Sequence, residues 1–236
     1  MRYDVAAAVA QIDANPSAWN RHRDRTVREG PHACVDDIWV RFNPIGNMAD
    51  DPVAFFRGEH VSEWYPVADE IPAARALAKQ VFADVGGTRL GGVLITRVPA
   101  GGKVLPHVDS GWHAGYYEKF AVQLRGNEQQ TFHFENSSLS ALPGESYTFD
   151  NSKLHWVTND SDEDRMTLIV CIRRDNPMLR REEHIPFDMY FASIASMQVH
   201  PGAGTKEHRK MTLEECCHMA LQMLDIRRSV ISGEEN

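Results

Sequence analysis

The chain has 236 residues, 42% of them hydrophobic and 25% charged. That is enough apolar material for a sizeable core, which excludes wholesale disorder, and the length suits one domain with extensions. Its 33 acidic and 25 basic residues give a formal net charge of −8, which argues against gripping nucleic acid through bulk electrostatics.

From the N-terminus, Asp4 and Asp13 bracket a short Ala/Val stretch. This is wrong for a secretion signal and reads as a short helix capped by Asp4 and closed at Asn15-Pro16. The arginines within 21–25 and from Arg173 to Arg181 are interleaved with acids and read as solvated surface. A second helix starts at Pro72, carries Leu77, Val81 and Val85 on one side, and stops at Gly86-Gly87. Thr212 with Glu215 forms a capping-box pattern. Leu213, Cys217, Ala220 and Leu224 then continue with helical period to about Arg228. This helix is expected to brace the core or to serve as a homodimer contact.

Between the helices the punctuation becomes that of strands. The segments are Ile38–Phe42, Gly92–Val98, Phe120–Leu124, Thr131–Phe134, Ser146–Phe149, Leu154–Thr158 and Met166–Ile172. Seven or eight short strands at this spacing imply a sandwich or a barrel, and a jelly roll is one solution. No apolar run reaches membrane-spanning length, so no membrane association is expected. Cys34, Cys171, Cys216 and Cys217 lack C-x-x-C spacing. Reduced thiols and a cytoplasmic location fit them best.

The chemistry concentrates in two segments. Leu105-Pro106-His107-Val108-Asp109 places His-x-Asp after a strand and a Gly-rich turn. On a strand, residues two apart share a face, so His107 and Asp109 can offer a nitrogen and an oxygen to one ion. His155 is the candidate third ligand. Two histidines and one carboxylate on one face of an octahedral iron leave three positions open. Ten residues on, Arg165 opens an apolar strand. Its guanidinium either clamps a carboxylate such as that of 2-oxoglutarate or pairs at the surface with Asp162, Glu163 or Asp164.

Phe149-Asp150-Asn151-Ser152, His155, Asn159 and Arg165, with Ala100-Gly101-Gly102 and His107-Val108-Asp109 before them, resemble the aspartyl/asparaginyl β-hydroxylase family of Fe(II)/2-oxoglutarate dioxygenases. The likeness runs from about Val93 to Asp175. It implies a mainly β chain with flanking helices, folded as a double-stranded β-helix (a cupin-like jelly roll). One dioxygenase domain is then expected over 1–236, with its core at about 34–175 and a C-terminal helical extension at about 186–230. It further implies Fe(II) on His107, Asp109 and His155, with 2-oxoglutarate and O2 as cosubstrates. Decarboxylation to succinate and CO2 is coupled to hydroxylation of an amino-acid-like substrate, free or in a peptide. Asp109 stands where a halogenase would leave a vacancy for chloride.

By the same resemblance, Thr96 and Lys119 are carried over as cosubstrate contacts. The family's arginine is replaced by Lys119, which keeps the charge and gives up the planar fork. Trp112 and Tyr117, in the loop after Asp109, and Gln123, on the strand face of Lys119, are candidate substrate contacts. His133 reads as a barrel-face polar residue, His113 as no ligand, and Trp156 as core. Two rival readings stand beside this one. In a cupin-type enzyme using Zn or Mn without an oxoacid, Arg165 would be structural; the other rival is a non-enzymatic jelly-roll binding module.

Overall fold

A computed structural model describes residues 1–22, 26, 30–50, 55–56 and 58–174. The helix expected from Thr212 to Arg228 lies outside them. Among the described residues there are ten strands: β1 (Asp36–Phe42), β2 (Glu63–Trp64), β3 (Arg89–Val98), β4 (Lys103–His107), β5 (Glu118–Arg125), β6 (Gln130–Phe134), β7 (Ser137–Leu139), β8 (Ser146–Phe149), β9 (His155–Asn159) and β10 (Arg165–Arg173). Five α-helices accompany them among these residues: α1 (Ala6–Asp13), α2 (Gly46–Asp50), α3 (Val67–Glu70), α4 (Pro72–Asp84) and α5 (Trp112–Tyr116).

The pairing defines the architecture. β3 pairs with β10, β4 with β9, β5 with β8 and β6 with β7, all antiparallel. This is the pattern of one long hairpin wound upon itself, a double-stranded β-helix. It yields a six-stranded sheet in the order β2-β1-β3-β10-β5-β8, facing a four-stranded sheet in the order β4-β9-β6-β7. Gly101, at φ +67°, makes the turn from β3 to β4, a backbone region that costs a side-chain-bearing residue dearly.

Strand alternation sorts two cores. Val93 and Ile95 of β3, with Leu168 and Val170 of β10, point out of the barrel and pack beneath α4, which buries Ala74, Leu77, Ala78 and Val81. Val98, Val104, Phe132 and Val157 point inward and fill the space between the sheets. The first core fixes the six-stranded sheet as a rigid floor. Truncating one of its fully buried residues, such as Ile95 or Leu168, to alanine costs about 2–5 kcal/mol.

The first helix begins at Ala6, whose N–H donates to Asp4 Oδ1 at 3.0 Å. The α4 helix begins at Pro72 and ends before Gly86 at φ +67°, as its sequence punctuation predicts. Two strands were hidden from pattern reading. The two residues of β2 are too few for a period, and Ser137–Leu139 of β7 is polar and mostly exposed.

Candidate active site

Residues three apart on a regular strand face opposite sides, yet Val104 and His107 both turn inward. The cause is a bulge: Val104 is in register with Val157 while His107 is in register with His155, so three steps on β4 span two on β9. Pro106 lies in this interval and has no amide for the ladder, which suits a bulge. The Leu105 N–H donates outside the sheet, to the Pro31 carbonyl at 2.9 Å. The extra residue re-aims His107 so that its ring centroid lies 4.3 Å from that of His155.

Both rings are oriented from behind. His107 Nδ1 lies 2.8 Å from the Leu105 carbonyl, and His155 Nδ1 lies 2.8 Å from the Lys153 carbonyl. A carbonyl only accepts, so each Nδ1 carries the proton and each Nε2 presents its lone pair to the centre. His107 Nε2 is 3.8 Å from Asp109 Oδ1, and His155 Nε2 is 3.9 Å from Asp109 Oδ2. One ligand atom from each of the three residues falls within 4.8 Å of the others, so they can hold a metal ion together.

Asp109 does not share a strand face with His107, as the His-x-Asp spacing predicts, because β4 ends at His107. Asp109 is instead fixed by its backbone, whose N–H donates to the Asn151 carbonyl at 2.9 Å. That bond ties the loop after β4 to the loop before β9.

Electrostatics prepare the set for a cation. Burial, helped by the neighbouring His155, pushes the His107 pKa down to about 3. Burial works to raise that of Asp109, but Lys119, His155 and His107 together hold it well below the carboxylate range. A neutral His107 imidazole and the Asp109 carboxylate are therefore ready at neutral pH, the protonation state that ligation requires of them. Lys119 Nζ donates to Asp109 Oδ2 at 2.6 Å, which puts this lysine at the triad itself.

Arg165 opens β10 and points into the barrel. It is 3% exposed. Its Nη1 donates to Thr167 Oγ1 at 2.7 Å, and its Nη2 to the Tyr147 hydroxyl at 2.9 Å. The acids that sequence neighbourhood offered it lie elsewhere: Asp164 is 3.8 Å from Arg97, and the Glu163 carboxylate accepts from Asn127. Thr96 stands directly across from Thr167 in the β3–β10 register. Its hydroxyl is buried with no hydrogen-bond partner.

Beside the triad lies a cavity of about 190 Å³. Asp109, Lys119 and His113 border it, Trp39, Phe42, Phe56, Leu94 and Ile169 supply apolar walls, and Arg41 and His32 also line it. The candidate substrate residues Trp112, Tyr117 and Gln123 are absent from that lining. Trp112 stacks on Tyr116 with centroids 4.7 Å apart, and Tyr117 is a buried prop against His113. Gln123 is fully buried: its amide nitrogen donates to the Arg125 and Met166 carbonyls, and its oxygen accepts from Thr167. The loop after Asp109 meets the cavity through Ser110, His113 and Ala114 instead.

His113 is not a ligand: its Nε2 accepts from the Gly92 N–H at 3.1 Å. A side chain on Gly92 would crowd that ring and Phe42, at 3.3 and 3.0 Å. His133 lies on the outer barrel face, bonded to Thr158 and stacked on Trp156. Trp156 does point away from His155, but it is half-buried on that outer face, not in the core. Some residues of the site escaped sequence reasoning. Thr167 was within reach by strand parity from Arg165, whereas Tyr147 and His32 arrive from distant segments with no local signal. The His32 ring meets that of His107 edge-on at 4.6 Å.

Residues 57–175, just over half of the chain, match the aspartyl/asparaginyl β-hydroxylase family. The chain belongs to that family, and its His-Asp-His cluster could hold a metal ion. No curated protein matches it. Among solved structures it is similar to an oxidoreductase of the 2OG-Fe(II) oxygenase family from Burkholderia pseudomallei, at 16% identity and TM-score 0.48, over 75% of this chain and 83% of that one. It is also similar to a predicted oxalate decarboxylase from Thermotoga maritima, at 18% identity and TM-score 0.30, over 41% of this chain and 74% of that one. A third is a conserved protein of unknown function from Streptococcus pyogenes, at 12% identity and TM-score 0.28. That match uses 36% of this chain and spans 65% of the Streptococcus protein, a little under two thirds of its length.

Proposed function

We propose that the protein is an Fe(II)- and 2-oxoglutarate-dependent hydroxylase of an amino-acid-like carbon substrate, free or in a peptide. His107, Asp109 and His155 would hold the iron. Fe(II), with 2-oxoglutarate and O2, supplies the oxidising power for hydroxylation when bound, with succinate and CO2 as co-products. The single observation that carries the oxoacid is Arg165, a buried cation whose hydrogen-bond partners are two neutral hydroxyls. Burying a guanidinium without a counter-charge is costly, and a ligand carboxylate removes that cost through a bidentate pair.

The residues divide the labour. Arg165, Thr167 and Tyr147 form the anion end of the oxoacid site, and the unpartnered Thr96 hydroxyl adds a donor on the neighbouring strand. The Leu105 and Lys153 carbonyls keep both imidazoles in the ligating tautomer. Lys119 neutralises the Asp109 carboxylate in the metal-free site. Incubation with Fe(II), 2-oxoglutarate and O2 under ascorbate, without added substrate, tests this reading. Slow succinate release that depends on both metal and oxoacid is expected. Tight iron binding with no consumption of any oxoacid would refute it.

A further inference from the structure

The cavity beside the triad is chemically lopsided. Its walls are mostly apolar, and the one carboxylate among its described lining residues, Asp109, is already bonded to Lys119. That leaves Arg41 on the opposite side of the balance. The Arg41 guanidinium donates to two backbone carbonyls, from Nε to Gly91 at 3.1 Å and from Nη2 to Leu90 at 3.3 Å. Its Cζ lies over the Trp64 ring, 5.2 Å from the centroid. Among the described residues it forms no ion pair.

A guanidinium braced by carbonyls and stacked on an indole is held still, and it keeps its charge for a partner. The backbone bonds use Nε and Nη2, which leaves Nη1 for a ligand oxygen. Among the described lining residues, a cationic group entering the same space finds no carboxylate but Asp109, which Lys119 already claims. An apolar body is favoured by the walls: a cavity of about 190 Å³ exceeds the ~150 Å³ that accommodates benzene.

We infer that the substrate is a small carboxylic acid with an apolar body, its carboxylate held by Arg41 and its body against Phe42, Phe56, Leu94 and Ile169 beside the triad. The inference deepens the hydroxylase reading and rests on it for the word substrate. The preference for an acid over an amine rests on the cavity alone. On this account no unpaired carboxylate among the described lining residues meets a substrate ammonium group, so a deaminated acid should bind as well as an amino acid of the same shape.

The test measures binding, by calorimetry on the full chain, both without metal and with Fe(II) and 2-oxoglutarate under anaerobic conditions. The probes are 3-phenylpropanoate and 4-methylpentanoate, each beside its amide and its amine. At least one acid should bind at least tenfold more tightly than its amide, with its amine weaker still. Arg41→Met should abolish that preference, Arg41→Lys should restore part of it, and Arg165→Met should leave it intact. Ala114→Leu, which shrinks the cavity, should weaken acid and amide alike. Thermal melts of each variant confirm folding. Equal binding of acid and amide, an acid preference lost in Arg165→Met but not in Arg41→Met, or no binding by either acid would overturn the inference. An acid preference on the metal-free chain would sustain it even if 2-oxoglutarate proved irrelevant.

Discussion

Lys119 Nζ lies 2.6 Å from Asp109 Oδ2, so the only carboxylate of the triad is paired before a metal arrives. The lysine is 20% exposed and the aspartate 14%, a partly buried pair. Lys119→Met should leave Asp109 uncompensated and destabilise the metal-free protein by about 2 kcal/mol, less than the loss expected for a fully buried pair. Adding Fe(II) or Zn(II) should recover most of that loss. Melting temperatures with and without metal check both halves, and a variant unaffected in either state would remove the pairing from the account.

His155→Ala should abolish stoichiometric metal binding, because two remaining ligands do not close a facial site. Metal content after equilibrium dialysis is the readout. The metal-free variant should stay folded, since the His155 Nε2 serves the centre and not the sheet ladder. Retention of one tightly bound ion would show that the ligand set is misassigned.

Arg165→Met has two expected effects of opposite sign. The half-saturating concentration of 2-oxoglutarate should rise roughly 100-fold, since hydrogen bonds to a charged group contribute about 1.5–3 kcal/mol. Metal-free stability should hold or increase, because a buried cation with no ion pair among the described residues is replaced by an apolar side chain. An unchanged oxoacid requirement would leave Arg165 structural.

Burial, with His60 close by, pushes the His113 pKa down to about 3, against an ordinary value near ~6.5 in the unfolded chain. The unfolded state therefore binds more protons between these values, and stability rises with pH across that window. The contribution is full above about pH 6.5 and is lost as pH falls toward 3, with a slope of up to ~1.4 kcal/mol per unit. Denaturant titrations at several pH values should show a flatter acid limb for His113→Gln. An identical limb would mean that His113 is not buried as a neutral ring.

Much of this was legible in the sequence, for stated physical reasons. Pro72 and Gly86 bracket α4 because fixed φ and positive φ act locally. The inward alternation of β10 follows from its length and its β-branched residues. His107, Asp109 and His155 were readable as a set because residue type and order carry the signal. The reason for their convergence was not, since a bulge at Leu105-Pro106 changes strand parity without marking the hydrophobic pattern. Lys119, carried over as a cosubstrate contact, pairs with Asp109. Tyr147 and Arg41 reach their places only through long-range strand pairing, which no local window records. Trp112 and Tyr117 looked available because their loop is polar and glycine-bearing, yet aromatic stacking absorbs them.

The central claim is that one metal on His107, Asp109 and His155 shares a site with an oxoacid anchored by Arg165. Anaerobic titration of the Fe(II)-loaded protein with 2-oxoglutarate, followed by visible absorption, tests it most directly. The account predicts a metal-to-ligand charge-transfer band that saturates at one equivalent, disappears in His155→Ala and needs far more oxoacid in Arg165→Met. Iron bound at one equivalent with no such band at saturating 2-oxoglutarate would contradict it.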